Sequence, residues 1–433
     1  MNTLIVGHGG REAALGTRMA ASSSLFAFMG HTNPTISSLV EGSGGAVLIG
    51  DVCDGASIAR FAVDHAIDVA MVSADDPLAA GVVDALSAAG VAAVGPTRAG
   101  AQIEWDKHFS RTVVTAIAPG ANPRWAHAST VEEARAAVKR VGAGGVDVVV
   151  KPVGLAGGKG VKVVGPHLAD NHEATRYACE VIGSGRHGGA VIVEERISAP
   201  EFTIQAMTDG RHTVFPPATF DYPYRYDGDR GPGTGGMGSC TLPGGLFPFL
   251  DAATYDQACG IVADAIGYLT ADGRSFTGCM NAGFFATGDG LRVIEFNARF
   301  GDPEALNIMS LFDGDWTEVM EAMVSGTLHD GQVPLARDAS VVVYLVSPEY
   351  AVAPGQAHEF TVDDERIAGA GASVLFSAAE RVGPGRFRTV GTSRAVAVVA
   401  RAPSLGPARD AAYRAIGGGI GGDLQWRSDL ARF

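Results

Sequence analysis

The chain has 433 residues, 46 % hydrophobic and 18 % charged, with a formal net charge of -14 at pH 7. Its length implies three or four units at roughly 100–200 residues per domain, and the acidic balance opposes nonspecific nucleic-acid binding, where a basic face supplies most of the affinity. No apolar run approaches the roughly 18 residues needed to span a bilayer. Because the first residues, Met-Asn-Thr-Leu-Ile-Val-Gly, lack a secretory pattern, a cytoplasmic location is expected. Cysteines at 53, 179, 240, 259 and 279 lack Cys-x-x-Cys spacing, which argues against a disulfide framework or structural zinc.

Thr3 to Val6 reads as a short buried strand that enters Gly7-His8-Gly9-Gly10-Arg11-Glu12 and then a helix from about Arg11 to Ala21. A glycine turn at a helix N-terminus can offer backbone N–H groups to an anion; equally, it can simply let a helix pack close to a strand. The dinucleotide fingerprint fails, since its third glycine falls at Glu12. Further strands at 25–28, 46–49, 69–72 and 91–94 alternate with helices at 56–66 and 77–89, the pattern of a parallel, doubly wound α/β domain over about 1–100. Pro77 fits a first helical position behind Asp75 and Asp76. The strand ends at 7–12, 30–34 and 73–77 should line one crevice.

A helix from Gln102 carries Lys107, and Thr130 suits the cap of a helix over 131–141. The strand 146–150 leads into Lys151 through Lys162, where three lysines flank a loop with four glycines, Gly154, Gly157, Gly158 and Gly160. Glycine permits close approach to phosphates and lysine supplies charge, so phosphate binding is preferred to a plain surface hairpin. It is not a Walker A loop, because Lys159 is followed by Gly160. The strand 190–194 enters Glu195, Arg196, Ile197 and Glu201, an edge able to meet an adenine and a ribose. A long loop from Asp221 to Gly238, with three tyrosines and Thr234-Gly235-Gly236-Met237, has the length of a functional loop and is expected to face substrate.

A helix over 252–269 precedes a hairpin of strands 278–286 and 291–297 turning through Gly288-Asp289-Gly290. In its second strand Glu295 and Asn297 share a face by the two-residue repeat. A carboxylate and an amide carbonyl suit a hard cation such as Mg²⁺, and Arg299 could hold a carboxylate by two parallel hydrogen bonds. A solvated polar face ending in a Gly-Asp-Pro turn is the plain alternative. Strands at 341–346, 386–389 and 395–399 with a helix at 405–415 suggest a smaller α+β unit.

Gly-x-Gly-Gly-Arg-Glu, the lysine-glycine loop, Glu194-Glu195, Thr-Gly-Gly-Met-Gly and Glu-Phe-Asn-Ala-Arg-Phe-Gly-Asp-Pro-Glu, in this order, resemble the phosphoribosylamine-glycine ligase (glycinamide ribonucleotide synthetase) family of the ATP-grasp superfamily, in a divergent branch. The similarity extends to 391–394 and 426–430. It implies an ATP-grasp architecture with an N-terminal parallel doubly wound α/β domain (1–100), a linker and small lid (101–190), a core (191–330) and a small C-terminal α+β domain (331–433). It also implies an ATP-dependent ligase joining glycine to phosphoribosylamine through an acyl phosphate in purine synthesis, with Mg²⁺ or Mn²⁺, small-molecule partners and a monomer or homodimer.

By the same resemblance Lys107, Lys151, Gly157, Gly158 and Lys159 would contact the ATP phosphates. Glu194, Glu195 and Ile197 would meet the adenine, Glu201 the ribose, and Glu295 with Asn297 the metal. Gly9, Gly10, Arg11, Glu12, Asp221, Arg225, Thr234, Gly235, Met237, Arg299, Gly301 and Asp302 would face the other substrates, with Arg299 and Lys159 acting in catalysis. The chain departs from the family pattern at Ala13 (usually His), at Gly30-His31-Thr32-Asn33-Pro34, at Val153 (usually Asp) and at Asp221-Tyr222-Pro223-Tyr224 (usually Asp-His-Lys-Arg), which leaves Arg225 as the nearest base. A relative joining another amino acid to another amine, and a nucleotide-binding regulator, are the alternatives.

Overall fold

The computed structural model describes residues 1–154 and 160–433. Asn2–Val6, Ser24–Met29, Val47–Ile49, Val69–Val72 and Ala92–Val94 form a parallel sheet in which Asn2–Val6 lies between Ser24–Met29 and Val69–Val72. The chain builds outward to one side of the first strand and then to the other. The crevice at that switch point collects the loops that follow strands one, two and four. Within this domain the expected helix over 77–89 is broken at Gly81, whose φ of +85° ends Asp75–Ala80 before Val82–Ala88 begins. Pro77 therefore sits third in its helix, still within the first turn, where an N–H has no intrahelical partner to lose.

Trp125–Ala128, Val191–Glu195, Val148–Pro152 and Lys162–Val163 make a four-stranded antiparallel sheet in that spatial order. Its own apolar core forms with the helices Val131–Val141 and Asn171–Ser184. Thr130 caps the first of these by accepting from the Glu133 N–H while Glu133 reaches back to the Thr130 N–H. The boundary expected at 190 falls one strand early, because Val191–Glu195 is a central strand of this sheet.

Glu201–Thr208 pairs with Gly278–Thr287, which turns through Gly288 and Asp289 into Gly290–Asn297. The helix Ala252–Ala271 packs behind them. In the hairpin, Gly283 faces Glu295 and Phe284 faces Val293, so Ile294 is an extra residue, a β-bulge. The boundary expected at 330 is crossed by a sheet. Phe220–Asp221 and Gly238–Thr241 join Ala339–Val346, Arg394–Ala402 and Ala372–Phe376 in one five-stranded sheet. The C-terminal segment is thus bonded to the core through backbone pairing. Among the described residues no helix is long and apolar enough to cross a membrane.

Candidate active site

A cleft of about 1130 Å³ is lined by the loops that follow strands of the parallel sheet, by residues of the other three sheets described, and by the linker helices between the first two. Its geometry divides into three stations.

At the first, Arg111 of the helix Lys107–Ile117 donates from Nε to Glu194 Oε1 at 2.6 Å, and Lys151 Nζ lies 2.8 Å from Glu194 Oε2. Burial by itself would raise the Glu194 carboxyl, but these two cations hold it down at about 2. Arg111 also donates to the Val293 and Ile294 carbonyls at 2.8 Å each, and Lys151 to Ile294 at 3.3 Å. The bulge frees the Ile294 carbonyl from strand pairing, which is what makes it available to both. Nearby, Lys107 Nζ reaches the Gly154 carbonyl at 3.4 Å, and burial, opposed by Glu295, lowers its ammonium. Burial pushes Glu201 up to about 7 against the pull of Lys151.

Arg299 forms the second station. Its Nη2 lies 3.2 Å from Glu104 Oε1 and donates to Asn297 Oδ1 at 3.1 Å, while Nη1 donates to the Phe300 carbonyl. Burial opposes it, yet Glu104 and Asp75 hold this guanidinium above its ordinary value. Glu104 is enclosed, and burial raises it to about 7 despite Arg299. Glu295 and Asn297 both line the cleft here, and they are less buried than Phe296 between them.

At the third station Asp302 Oδ1 accepts from the Tyr344 hydroxyl at 2.7 Å, and its Oδ2 lies 3.2 Å from Arg394 Nη2. Arg394 also donates to the carbonyls of Gly235, Gly236 and Asp302. Burial, followed by repulsion from Glu304, raises Asp221 well above the carboxylate range, and burial raises Glu304 as well. Asn281 lines the same end, with its Oδ1 buried and unpartnered. The rings of His8 and His31 lie 4.3 Å apart, tilted by 58°, at the crevice of the parallel sheet; burial and then His31 lower His8 to about 4, so it is neutral at pH 7.

Family models for the phosphoribosylglycinamide synthetase N domain and its ATP-grasp (A) domain match residues 1–104 and 105–305. A phosphoribosylamine–glycine ligase of Methanothermobacter thermautotrophicus is 37 % identical over 432 residues, covering 99 % of this chain and 96 % of that one. One from Methanosarcina acetivorans is 38 % identical over 434 residues, covering 99 % and 94 %. The chain belongs to the phosphoribosylamine–glycine ligase family. The solved phosphoribosylamine–glycine ligase of Thermotoga maritima superposes with a TM-score of 0.81 at 22 % identity, covering 99 % of this chain and 100 % of that one. A biotin carboxylase domain from Hydrogenobacter thermophilus shares the fold with a TM-score of 0.73 at 16 % identity, covering 98 % and 91 %.

For this ligase-family chain the cleft gathers Gly9, Arg11, Glu12, Lys107, Lys151, Glu194, Glu195, Ile197, Glu201, Asp221, Thr234, Gly235, Glu295, Asn297, Arg299 and Asp302. Gly157, Gly158 and Lys159 lie outside the described residues. Four expected substrate residues are placed elsewhere. Arg225 is buried behind the cleft, donating to the carbonyls of Tyr350 and Ser347 and to Gln425 Oε1. The Met237 side chain is packed with Val346 and Tyr350. Gly301 donates to Gln205 Oε1, and a Cβ on it would lie 2.4 Å from Glu304 Oε2. Gly10 is buried, and a Cβ there would fall 2.0 Å from the Tyr344 hydroxyl.

The glycine turn thus packs closely against Tyr344 at Gly10, while Gly9 lines the cleft with its N–H donating to Glu12 Oε2 at 2.8 Å. Glu194 needs a similar correction: with both carboxylate oxygens engaged by Arg111 and Lys151, only its backbone is left for an adenine. Gly10→Ala should cost about 1–3 kcal/mol by overpacking, and Tyr344→Phe in the same chain, which removes the clashing oxygen, should recover part of it. Urea denaturation of the single and double variants measures both. A Gly10→Ala chain as stable as wild type would contradict the close packing.

Sequence reasoning missed Glu104, Arg111, Asn281, Glu304 and Arg394. Two of them had a signal: Glu304 follows Gly-Asp-Pro directly, and Arg394 closes the matching segment 391–394. Asn281 had none, because the two-residue turn by itself would set it opposite Phe296, and only the bulge at Ile294 brings it opposite Asn297. Arg111 and Glu104 lie among ordinary helix residues, and only the packing shows what they meet. Of the departures from the family pattern, Ala13 is fully buried and the Tyr222 hydroxyl accepts from the Ala431 N–H in the interior. His31 and Tyr224 face the cleft.

Proposed function

We propose that the chain joins glycine to 5-phosphoribosylamine with ATP, giving glycinamide ribonucleotide, ADP and phosphate in purine synthesis. The observation that carries this reading is that Lys107, Lys151, Glu295, Asn297 and Arg299 meet in one cleft of a chain 37 % identical to a phosphoribosylamine–glycine ligase along its length. A free carboxylate is a poor acyl donor, so the glycine carboxylate takes the γ-phosphoryl group of ATP and ADP leaves. The amine then attacks the acyl carbon, phosphate departs with the C–O bond electrons, and an amide remains. Catalysis of this kind is positioning and charge neutralisation and requires no nucleophilic side chain.

In this reading Lys107, Lys151 and Lys159 neutralise the phosphates, which Gly157 and Gly158 of the glycine loop contact, and Arg299 holds the glycine carboxylate. The backbone at Glu194, Glu195 and Ile197 meets the adenine, and Glu201 the ribose. Arg11, Asp221, Thr234, Gly235 and Asp302 line the amine end. Among the described residues no three His, Cys, Asp or Glu side chains are grouped to hold a metal. Glu295 and Asn297 nonetheless suit Mg²⁺ or Mn²⁺, which is often held by one or two protein oxygens with phosphates and water completing the shell. The Asn297 carbonyl, accepting one hydrogen bond from Arg299, keeps a second lone pair. When bound, the ion neutralises phosphate charge. The enzyme is assigned to the cytoplasm as a monomer or homodimer.

His31 and Tyr224, two departures that face the cleft, favour a second reading in which the amine differs. Incubation with ATP, Mg²⁺, glycine and freshly generated phosphoribosylamine, followed by mass spectrometry, separates the two. The expected result is equimolar ADP and glycinamide ribonucleotide. Turnover only with another amine would replace the first reading by the second.

A further inference from the structure

We propose that Glu104 is a positioning residue for the phosphoryl-transfer step, fixing the guanidinium of Arg299 in the orientation that receives the amino-acid carboxylate. This rests on the ligase activity proposed above and adds to it a residue that acts through Arg299.

Glu104 lies on the short linker helix Gln102–Trp105, and its side chain is 8 % exposed. One carboxylate oxygen lies 3.2 Å from Arg299 Nη2, and the other accepts the Ala298 N–H at 2.8 Å. A single rigid group thus grips both the backbone just before Arg299 and the head of its side chain. That matters because Arg299 is long and surrounded by competing acceptors and charges. Asn297 Oδ1 accepts from the same Nη2, and the carboxylates of Asp75, Glu304 and Glu295 all act on the guanidinium, with Arg11 near Glu104. Without a clamp the head could settle on any of these. With it, Nε of Arg299 stays buried and without a protein partner, an N–H left over for an oxygen of another molecule.

The linker also couples the two ends of the transfer. Asp106 caps the helix Lys107–Ile117 through the His108 and Phe109 N–H groups and accepts from Gln102 Nε2 at 2.9 Å. This fixed turn directs Glu104 to Arg299 while Lys107 reaches Gly154 at the start of the glycine loop. The acceptor carboxylate and the phosphate charge are therefore set from one short segment. A buried carboxylate held against its desolvation cost adds little net stability; what it supplies here is orientation.

Steady-state kinetics of the full chain test this. Glu104→Gln keeps an acceptor for the Ala298 N–H but removes the charge that holds Arg299. Expected are a kcat lower by about 10–100-fold and a raised KM for the amino acid, with the KM for ATP within about twofold of wild type. Glu104→Asp should recover part of kcat. In an Arg299→Lys background the same substitution should cost less than about threefold, because the partner it positions is gone. Equal losses for ATP and amino acid, or additive losses in the double variant, would overturn the proposal. If the wild type is inactive with glycine and phosphoribosylamine, the substrate assignment fails. The same ratios are then read on ADP release with the pair it does use. A wild type that turns over no pair leaves a crystal structure of Glu104→Gln to decide, and Arg299 unmoved in it overturns the positioning role.

Discussion

Glu295→Gln is expected to lower kcat by about 10²–10³-fold while leaving stability within about 0.5 kcal/mol of wild type. The separation of the two effects follows from the side chain's surroundings. Glu295 is solvent-exposed on its strand, opposite Gly283, and lines the cleft. No core packing depends on its charge, whereas the proposed binding of a hard cation by one or two protein oxygens does. Turnover measured against Mg²⁺ concentration, beside urea denaturation of both chains, is the check. A variant that matches wild-type turnover at limiting Mg²⁺ would remove Glu295 from the proposed metal site.

The opposite signature is expected at Arg111. Arg111→Met should destabilise the chain by about 3–5 kcal/mol, since it leaves Glu194 buried with Lys151 as its remaining ion-pair partner. It also removes both hydrogen bonds that tie the linker helix to Val293 and Ile294. The pH dependence carries a sign. Glu194 sits at about 2 in the folded chain against 4.5 for an ordinary glutamate. A depressed carboxyl contributes stability that is present above its unfolded value and lost as pH falls from about 4.5 toward 2. The wild type should therefore lose this contribution across that window, and Arg111→Met should show a weaker acid dependence there. Urea denaturation at pH 7 and at several points below pH 5 measures both effects; identical pH profiles for the two chains would contradict the assignment.

These two residues also show how far the sequence could be read. The placement of Glu295 beside Asn297 on the open side of their strand was legible because a strand repeats every two residues, which is a local condition. Arg111 was not, since its partners lie 83, 182 and 183 residues away. The bulge at Ile294 that exposes a carbonyl to it has no periodicity of its own. The glycine turn shows the limit of spacing, which cannot separate a backbone that approaches a phosphate from one that, as at Gly10, approaches Tyr344; that Glu12, three residues on, accepts the Gly9 N–H is likewise seen only in the structure.

The sequence by itself determined the alternation of strands and helices in the first domain, the hairpin that carries Glu295 and Asn297, and the motif order that places the chain in its ligase family. All of these rest on short-range periodicity or on contiguous motifs. Tertiary structure alone decided which motifs line the cleft together, how the C-terminal segment joins the core sheet to deliver Arg394, and which charges surround Arg299. Those depend on strands and side chains distant in sequence. Their energetics, burial of charge and pairing of what is buried, exist only once the chain has closed around them.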